Sequence, residues 1–199
     1  MVAVILDGGH GFETKGKRSR DGSLRENEYN NAIVNKVAYV LYKKSIPYRI
    51  VSSEWSDVPL LNRIQREHLF NQELKDMGYS PIFISIHANA ARSSNAEGYE
   101  TFIVNDASNA TLNLGEIVHK EVYSAYKKHS KKAKDRSLKK LNFYVLRNTK
   151  SPAVLIECGF MTNEQDLELL KSDLFRNDIT DSLIKAIENY DIYSERRDS

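Results

Sequence analysis

The chain has 199 residues, enough for one domain with a sizeable core. A net charge of only +2, with 28% charged and 41% hydrophobic residues, gives no strong electrostatic case for a nucleic-acid partner. The one cysteine, Cys158, excludes a disulfide framework and a Cys-rich zinc knuckle, and no apolar stretch approaches the roughly 18 residues needed to cross a bilayer.

Runs rich in β-branched and aromatic residues recur, with helical patterns between them. Val2–Asp7 opens the chain as a strand. Glu28–Lys44 follows as a helix whose apolar stripe is Ile33, Val34, Val37, Val40 and Leu41. Tyr48–Ser53 is a strand, and Leu60–Met77 a helix stopped by Gly78. Pro81–His87 and Tyr99–Val104 are strands. Leu112–Lys128 is a helix with Leu114, Ile117, Val118 and Val122 along one side. Phe143–Arg147 and Ala153–Cys158 read as the last two strands. Asn163 caps a short helix beginning at Glu164, and Asn177–Tyr190 forms the final helix.

This alternation predicts a three-layer α/β fold, a mostly parallel mixed sheet of about six strands flanked by helices. It forms one domain over 1–193, with 194–199 as a polar tail. The basic run Lys127, Lys128, Lys131, Lys132, Lys134, Arg136, Lys139, Lys140 reads as a solvated helix end and loop, or as a patch facing an anionic wall polymer. Nothing resembles a signal peptide, so the expectation is synthesis in the cytoplasm.

The strands Val2–Asp7, Pro81–His87 and Ala153–Cys158 are almost wholly apolar, as strands buried on both faces are. Ligands in such sheets collect at the carboxyl ends of strands. Three chemically unusual segments fall there: Asp7-Gly8-Gly9-His10-Gly11, Ser85-Ile86-His87-Ala88-Asn89 and Ile156-Glu157-Cys158-Gly159-Phe160. His10 and His87 at neighbouring strand ends suit a zinc site, which in hydrolases takes three protein ligands and leaves a fourth position for water. Glu13, Glu26 and Glu28 compete to be the third ligand. Glu13 completes an H-x-x-E pattern with His10, and composition does not choose among the three. Glu157 ends a run that should be buried, where a carboxylate is costly unless paired or used. It reads as a catalytic base, or else as the partner of Arg136 or Arg147. Cys158 points to the opposite face of its strand and reads as packing rather than as a nucleophile. His68, His119 and His129 read as surface or packing residues.

The ordered set of motifs resembles the zinc-dependent N-acetylmuramoyl-L-alanine amidases of the type 3 family, from Val4 to about Tyr190. The matching segments are Leu6-Asp7-Gly8-Gly9-His10-Gly11, Glu26 leading a helix with Asn30, Asp57 and Arg63, and Ser85-Ile86-His87-Ala88-Asn89. They continue with Glu97-Gly98-Tyr99-Glu100-Thr101-Phe102, Asp135-Arg136-Ser137, Val145-Leu146-Arg147, and Pro152 through Asn163. Asn27, Glu28, Ser53 and Glu54 depart from the family's usual residues.

The resemblance implies an amidase fold of the phosphorylase/hydrolase type and a peptidoglycan hydrolase. Such an enzyme cuts the amide between the lactyl group of N-acetylmuramic acid and L-alanine. It implies one Zn2+ per chain on His10, Glu26 and His87, Glu157 as catalytic base, and Asn89, Arg136 and Arg147 as substrate contacts. It further implies a monomer that acts on the cell wall without inserting into a membrane, released by a holin if phage-derived or trimmed from a longer secreted enzyme. Two rivals are weighed against it: another zinc peptidase, such as a carboxypeptidase using His10 and Glu13, and a non-catalytic wall-binding module.

Overall fold

The structure is a computed structural model that describes residues 1–130 and 133–198. Six strands form one sheet: β1 (Val2–Gly8), β2 (Tyr48–Ser52), β3 (Ser80–Asn89), β4 (Tyr99–Ile103), β5 (Asp135–Lys140) and β6 (Ala153–Phe160). Their order is β2-β1-β3-β6-β4-β5. The four strands β2, β1, β3 and β6 run parallel, β4 is antiparallel to β6, and β5 is parallel to β4. Helices cover both faces: α1 (Glu26–Lys43), α2 (Leu60–Asp76), α3 (Asn109–His129), α4 (Tyr144–Asn148), α5 (Glu164–Lys171) and α6 (Asp173–Asp198).

Alternation along the central strands sorts side chains into two cores. On one face Val2, Val4, Leu6, Ile82, Ile84, Ile86, Val154, Ile156 and Cys158 meet the stripes of α1, α3 and α6. Ile33, Val34, Val37 and Leu41 of α1 are fully buried there, as are Leu114, Val118 and Val122 of α3. Each such side chain contributes about 1.5–3 kcal/mol by leaving water. The other face is thinner: Ala3, Ile5, Phe83 and Leu155 pack on Ile64, Leu74, Val145 and Leu146. At its carboxyl-terminal end this second row turns polar, through Asp7, Ser85, His87 and Glu157.

Three sequence readings are corrected. Phe143–Arg147 is not a strand: Tyr144–Asn148 is one short helix. A five-residue apolar run does not distinguish the two, and here Val145 and Leu146 turn together into the thinner core. The missing strand is β5, inside the basic run read as loop. It pairs on one side only, with β4, and every residue in it is half-buried or exposed, so no apolar alternation announces it. Lys131 and Lys132 of that run lie outside the described residues. The final helix begins earlier and ends later than expected. It continues through Asp198, so helical backbone extends into the segment expected as a tail; Ser199 lies outside the described residues.

Candidate metal centre and active site

β1, β3 and β6 are neighbours, so their carboxyl ends form one platform. His10 follows β1 by two residues. Its backbone is left-handed, φ 63°, a conformation that costs an L-residue about 1–2 kcal/mol. The Asn27 side-chain amide donates to the His10 carbonyl at 2.8 Å, and the Asn30 amide donates to the Gly9 carbonyl at 2.8 Å. Both asparagines sit in the first turns of α1, so the helix that carries Glu26 also holds the histidine loop in place.

His87 lies near the end of β3 and Glu26 opens α1. His87 Nδ1 is 2.8 Å from Glu26 Oε1, and His10 Nε2 is 3.5 Å from the same oxygen. One donor atom from each of the three residues falls within 4.8 Å of the others. The rings of His10 and His87 meet edge to face, centroids 5.2 Å apart. Lys17 Nζ stands 3.5 Å from Glu26 Oε2. Burial pushes His10 down to about 4, which keeps its imidazole neutral and ready to donate a lone pair. Burial disfavours charge on both Glu26 and His87, yet their mutual hydrogen bond and attraction outweigh it: Glu26 is lowered and His87 raised. Two imidazoles and one carboxylate with a fourth side open are the donor set of a hydrolytic zinc site.

The competing carboxylates are occupied elsewhere or turned away. Glu28 accepts from the Arg25 backbone N–H at 3.0 Å, closing a capping box on α1. Glu13 is exposed and lines a separate depression with Thr14, Lys15 and Arg18.

Glu157 stands directly opposite His87 in the β3–β6 ladder. Its Oε2 is buried and has no hydrogen-bond partner among the described residues. Burial, reinforced by Glu26 and opposed by His87, pushes its carboxyl up to about 8. Neither Arg136 nor Arg147 pairs with it. Arg136 Nε donates to Glu100 Oε2 at 2.9 Å, and its guanidinium lies 4.8 Å from the centre of the Phe160 ring. Asn89 Nδ2 donates to Glu100 Oε1 at 2.6 Å, and Lys139 completes the cluster. Glu100 faces Glu157 across the β4–β6 pair, so Asn89 and Arg136 converge on a carboxylate of the strand beside Glu157. Arg147 is exposed and lines another depression, with Val104, Asp106 and Ser151. The structure does not bring it to the histidines.

His10, His87 and Glu157 open into a cavity of about 600 Å³ whose wall also includes Lys17, Asp57, Val58, Leu60, Phe143 and Tyr144. Its floor is a buried ion pair. Arg63, 3% exposed, donates to Asp7 Oδ1 at 3.0 Å, to Asp57 Oδ1 at 2.9 Å and, through Nε, to the Val58 carbonyl at 2.8 Å. Ser85 donates to the other Asp7 oxygen at 2.7 Å. Asp7 carries the same sign that marked Glu157, an acid ending an apolar strand. Lys17 and Tyr144 gave no such sign: Lys17 lies in a polar loop, and the apolar run that holds Tyr144, with Phe143 and Val145 also at the cavity, shows no polar residue closing a buried strand. Cys158 is fully buried on the opposite face, and burial pushes its thiol up to about 12. His68, His119 and His129 are tied to Asn148, Asp135 and Asp178, far from the centre in sequence and partner set.

Residues 4–189 match the profile of a family described as N-acetylmuramoyl-L-alanine amidase. The chain is 29% identical over 187 residues to the endolysin of Bacillus phage SPP1, covering 92% of this chain and 64% of that protein. It is 30% identical over 175 residues to the N-acetylmuramoyl-L-alanine amidase CwlM of Bacillus licheniformis, covering 88% and 63%. The chain therefore spans just under two thirds of the length of these two relatives. Among solved structures, the N-acetylmuramoyl-L-alanine amidase of Clostridium difficile 630 superposes with a TM-score of 0.81 at 28% identity, covering 95% of this chain and 96% of that one. The catalytic domain of CwlV from Bacillus (Paenibacillus) polymyxa gives 0.79 at 28%, covering 96% and 98%.

Proposed function

The chain belongs to the N-acetylmuramoyl-L-alanine amidase family, and from that premise we propose that it hydrolyses the amide between the lactyl group of N-acetylmuramic acid and L-alanine in peptidoglycan, with one zinc ion held by His10, Glu26 and His87. The observation that carries this reading is the unpartnered, buried Glu157 Oε2 beside a His–Glu–His donor set in an open cavity.

When bound, zinc supplies a Lewis acid that polarises the scissile carbonyl and makes water a better nucleophile at neutral pH. The chain's own residues do the rest. Glu157 takes a proton from the attacking water. As the carbon–nitrogen bond breaks, Glu157 returns that proton to the leaving nitrogen. The products are a lactyl carboxylate and a free L-alanine amine. A carboxyl whose affinity for protons has been raised by burial suits both transfers, because it is a strong enough base to receive the proton and a strong enough acid to return it. No covalent enzyme intermediate is required, and the buried Cys158 on the far face is not placed to form one. Lys17 and the apolar side of the cavity hold the chain flanking the scissile bond.

The carboxypeptidase alternative needs Glu13, which faces solvent. A purely wall-binding role leaves the unpaired Glu157 oxygen without a reason. The endolysin likeness supports action on the cell wall, by release through a holin or as part of a longer exported enzyme. Among the described residues, no helix is long and apolar enough to cross a membrane.

Digestion of purified peptidoglycan tests the activity. The zinc-loaded protein should release free L-alanine amino termini without new reducing sugar ends, and a chelator should stop the release. If the zinc-loaded protein yields no new amino termini, the proposal fails.

A further inference from the structure

The loop after β1 and the loop before α2 meet at the rim of the cavity. The Phe12 N–H donates to the Trp55 carbonyl at 2.8 Å, and Thr14 Oγ1 donates to Asp57 Oδ2 at 2.6 Å. The rings of Phe12 and Trp55 stack, centroids 3.7 Å apart and 19° from parallel. The Arg25 guanidinium lies 4.2 Å from the Phe12 ring centre, and Arg25 Nη1 donates to the Phe12 carbonyl at 3.0 Å. Two groups this close to one ring must lie on its opposite faces. Phe12 is therefore sandwiched, and Trp55 ends the stack.

Trp55 is the chain's one tryptophan, and it is 62% exposed. A ring that large leaves little hydrophobic stabilisation in the fold when most of it stays in water. Yet its position is fixed by a stack, a backbone hydrogen bond and a cation beneath. Fixing a binding group beforehand lowers the entropy cost of using it. The platform is also beside the chemistry: Phe12 is two residues from His10, Trp55 is two residues from Asp57, and both His10 and Asp57 line the cavity.

We propose that the outer face of Trp55, backed by Phe12 and Arg25, is a subsite for a pyranose ring of the glycan strand. The inference rests on the peptidoglycan reading above and goes beyond it. The negative face of an indole attracts the polarised C–H bonds on the flat side of a sugar ring, and a neutral pyranose brings no charge that the platform must neutralise. A peptide bearing carboxylates would instead favour Lys17 inside the cavity. The scissile amide hangs from the sugar by a three-atom lactyl arm, so a pyranose must lie close to the metal centre whenever the amide is in place.

A single tryptophan makes intrinsic fluorescence a reporter of this one ring. The zinc-loaded protein is titrated with a peptide-free β-1,4-linked N-acetylglucosamine tetramer and, separately, with a sugar-free stem tripeptide. The tetramer should change the emission saturably and the tripeptide should not. On soluble glycan–peptide fragments, Trp55→Ala should raise KM about tenfold, the equivalent of one aromatic stack, with the loss falling on KM more than on kcat. Trp55→Phe should recover most of it, which a purely structural role would not produce if both variants melt like the wild type. Silence with the tetramer, or a KM unchanged in Trp55→Ala, overturns the subsite. A response to the tripeptide alone overturns it also, and assigns the platform to the peptide. Because the titration needs no turnover, a tetramer response without amide cleavage would leave the subsite standing and remove the amidase reading.

Discussion

His87 and Glu157 face each other across the parallel β3–β6 ladder. Adjacent strands are about 4.8 Å apart, so the pairing sets the proposed proton acceptor one strand spacing from a candidate metal ligand before any side-chain rotamer is chosen. The same register places Asp7 and Ser85 one step back on β1 and β3, where Ser85 donates to Asp7 and Asp7 holds Arg63. The sheet thus lays out the proposed reacting row and a supporting row on one face.

Replacing Glu157 with Gln keeps the shape and removes the proposed base. Activity should fall about 10²–10⁴-fold, the usual contribution of general acid–base catalysis. Zinc affinity should stay within a few-fold of wild type, because Glu157 is not a donor. The melting temperature should not fall, since the lost carboxylate oxygen makes no hydrogen bond. A variant that melts lower but keeps its turnover would mark Glu157 as a structural group.

The choice of carboxylate ligand is open to direct measurement. Glu26 is 1% exposed and touches both histidines, whereas Glu13 faces solvent. Glu26→Ala should abolish stoichiometric zinc binding, measured by metal analysis after dialysis, and Glu13→Ala should leave it intact. Added zinc should raise the melting temperature of wild type and Glu13→Ala, because a ligand that binds only the folded state stabilises it. Loss of zinc in Glu13→Ala alone would reverse the assignment.

Arg63 should matter to the fold more than its surface neighbours do. Removing one partner of a buried ion pair strands the other charge and costs about 3–5 kcal/mol. The Asp57 carboxylate also bonds Arg63, but its side chain is 43% exposed, and such contacts contribute about 0–1 kcal/mol. Urea unfolding should therefore show Arg63→Ala far below Asp57→Ala. If Arg63→Ala does not accumulate, Asp7→Asn tests the same pair. Equal costs for Asp57→Ala and Asp7→Asn would show that burial does not govern this cluster.

The sequence announced what burial made unusual. His10, His87 and Glu157 were legible because each ends or follows a nearly continuous apolar strand, where a polar group stands out. Glu26 was not, because a glutamate opening a helix is also what the helix dipole favours, and Glu28 two residues later serves that purpose through Arg25. Only the resemblance to a family separated them. β5 stayed hidden for the opposite reason: an edge strand with Arg136 and Lys139 turned toward Glu100 carries no apolar alternation. Arg136 and Asn89 enter as substrate contacts only through the resemblance. The bonds both make to Glu100 were not legible, because Glu100 lies on a strand whose antiparallel pairing with β6 no local pattern reveals. Trp55 was silent because an exposed aromatic in a polar loop has no periodicity to break.

Gly9 is the most sensitive test of how the centre is built. It lies between β1 and His10, and a methyl group on its Cα would overlap the His87 ring. Its φ is not in the left-handed region, so alanine meets no backbone objection, and the whole effect of Gly9→Ala must come from space. His87 cannot retreat with its backbone, since β3 is paired on both sides, with β1 and with β6. It must turn its ring away from Glu26 or push the His10 loop outward against Asn27 and Asn30. Either movement spoils the donor set while leaving every donor present. Gly9→Ala should therefore weaken zinc binding about 10–100-fold, as disturbed supports of metal ligands do, and lower activity at limiting zinc. Excess zinc should restore part of the activity, which it should not do for Glu157→Gln. If Gly9→Ala binds zinc as tightly as wild type, His87 does not hold the metal in the position the glycine clears for it.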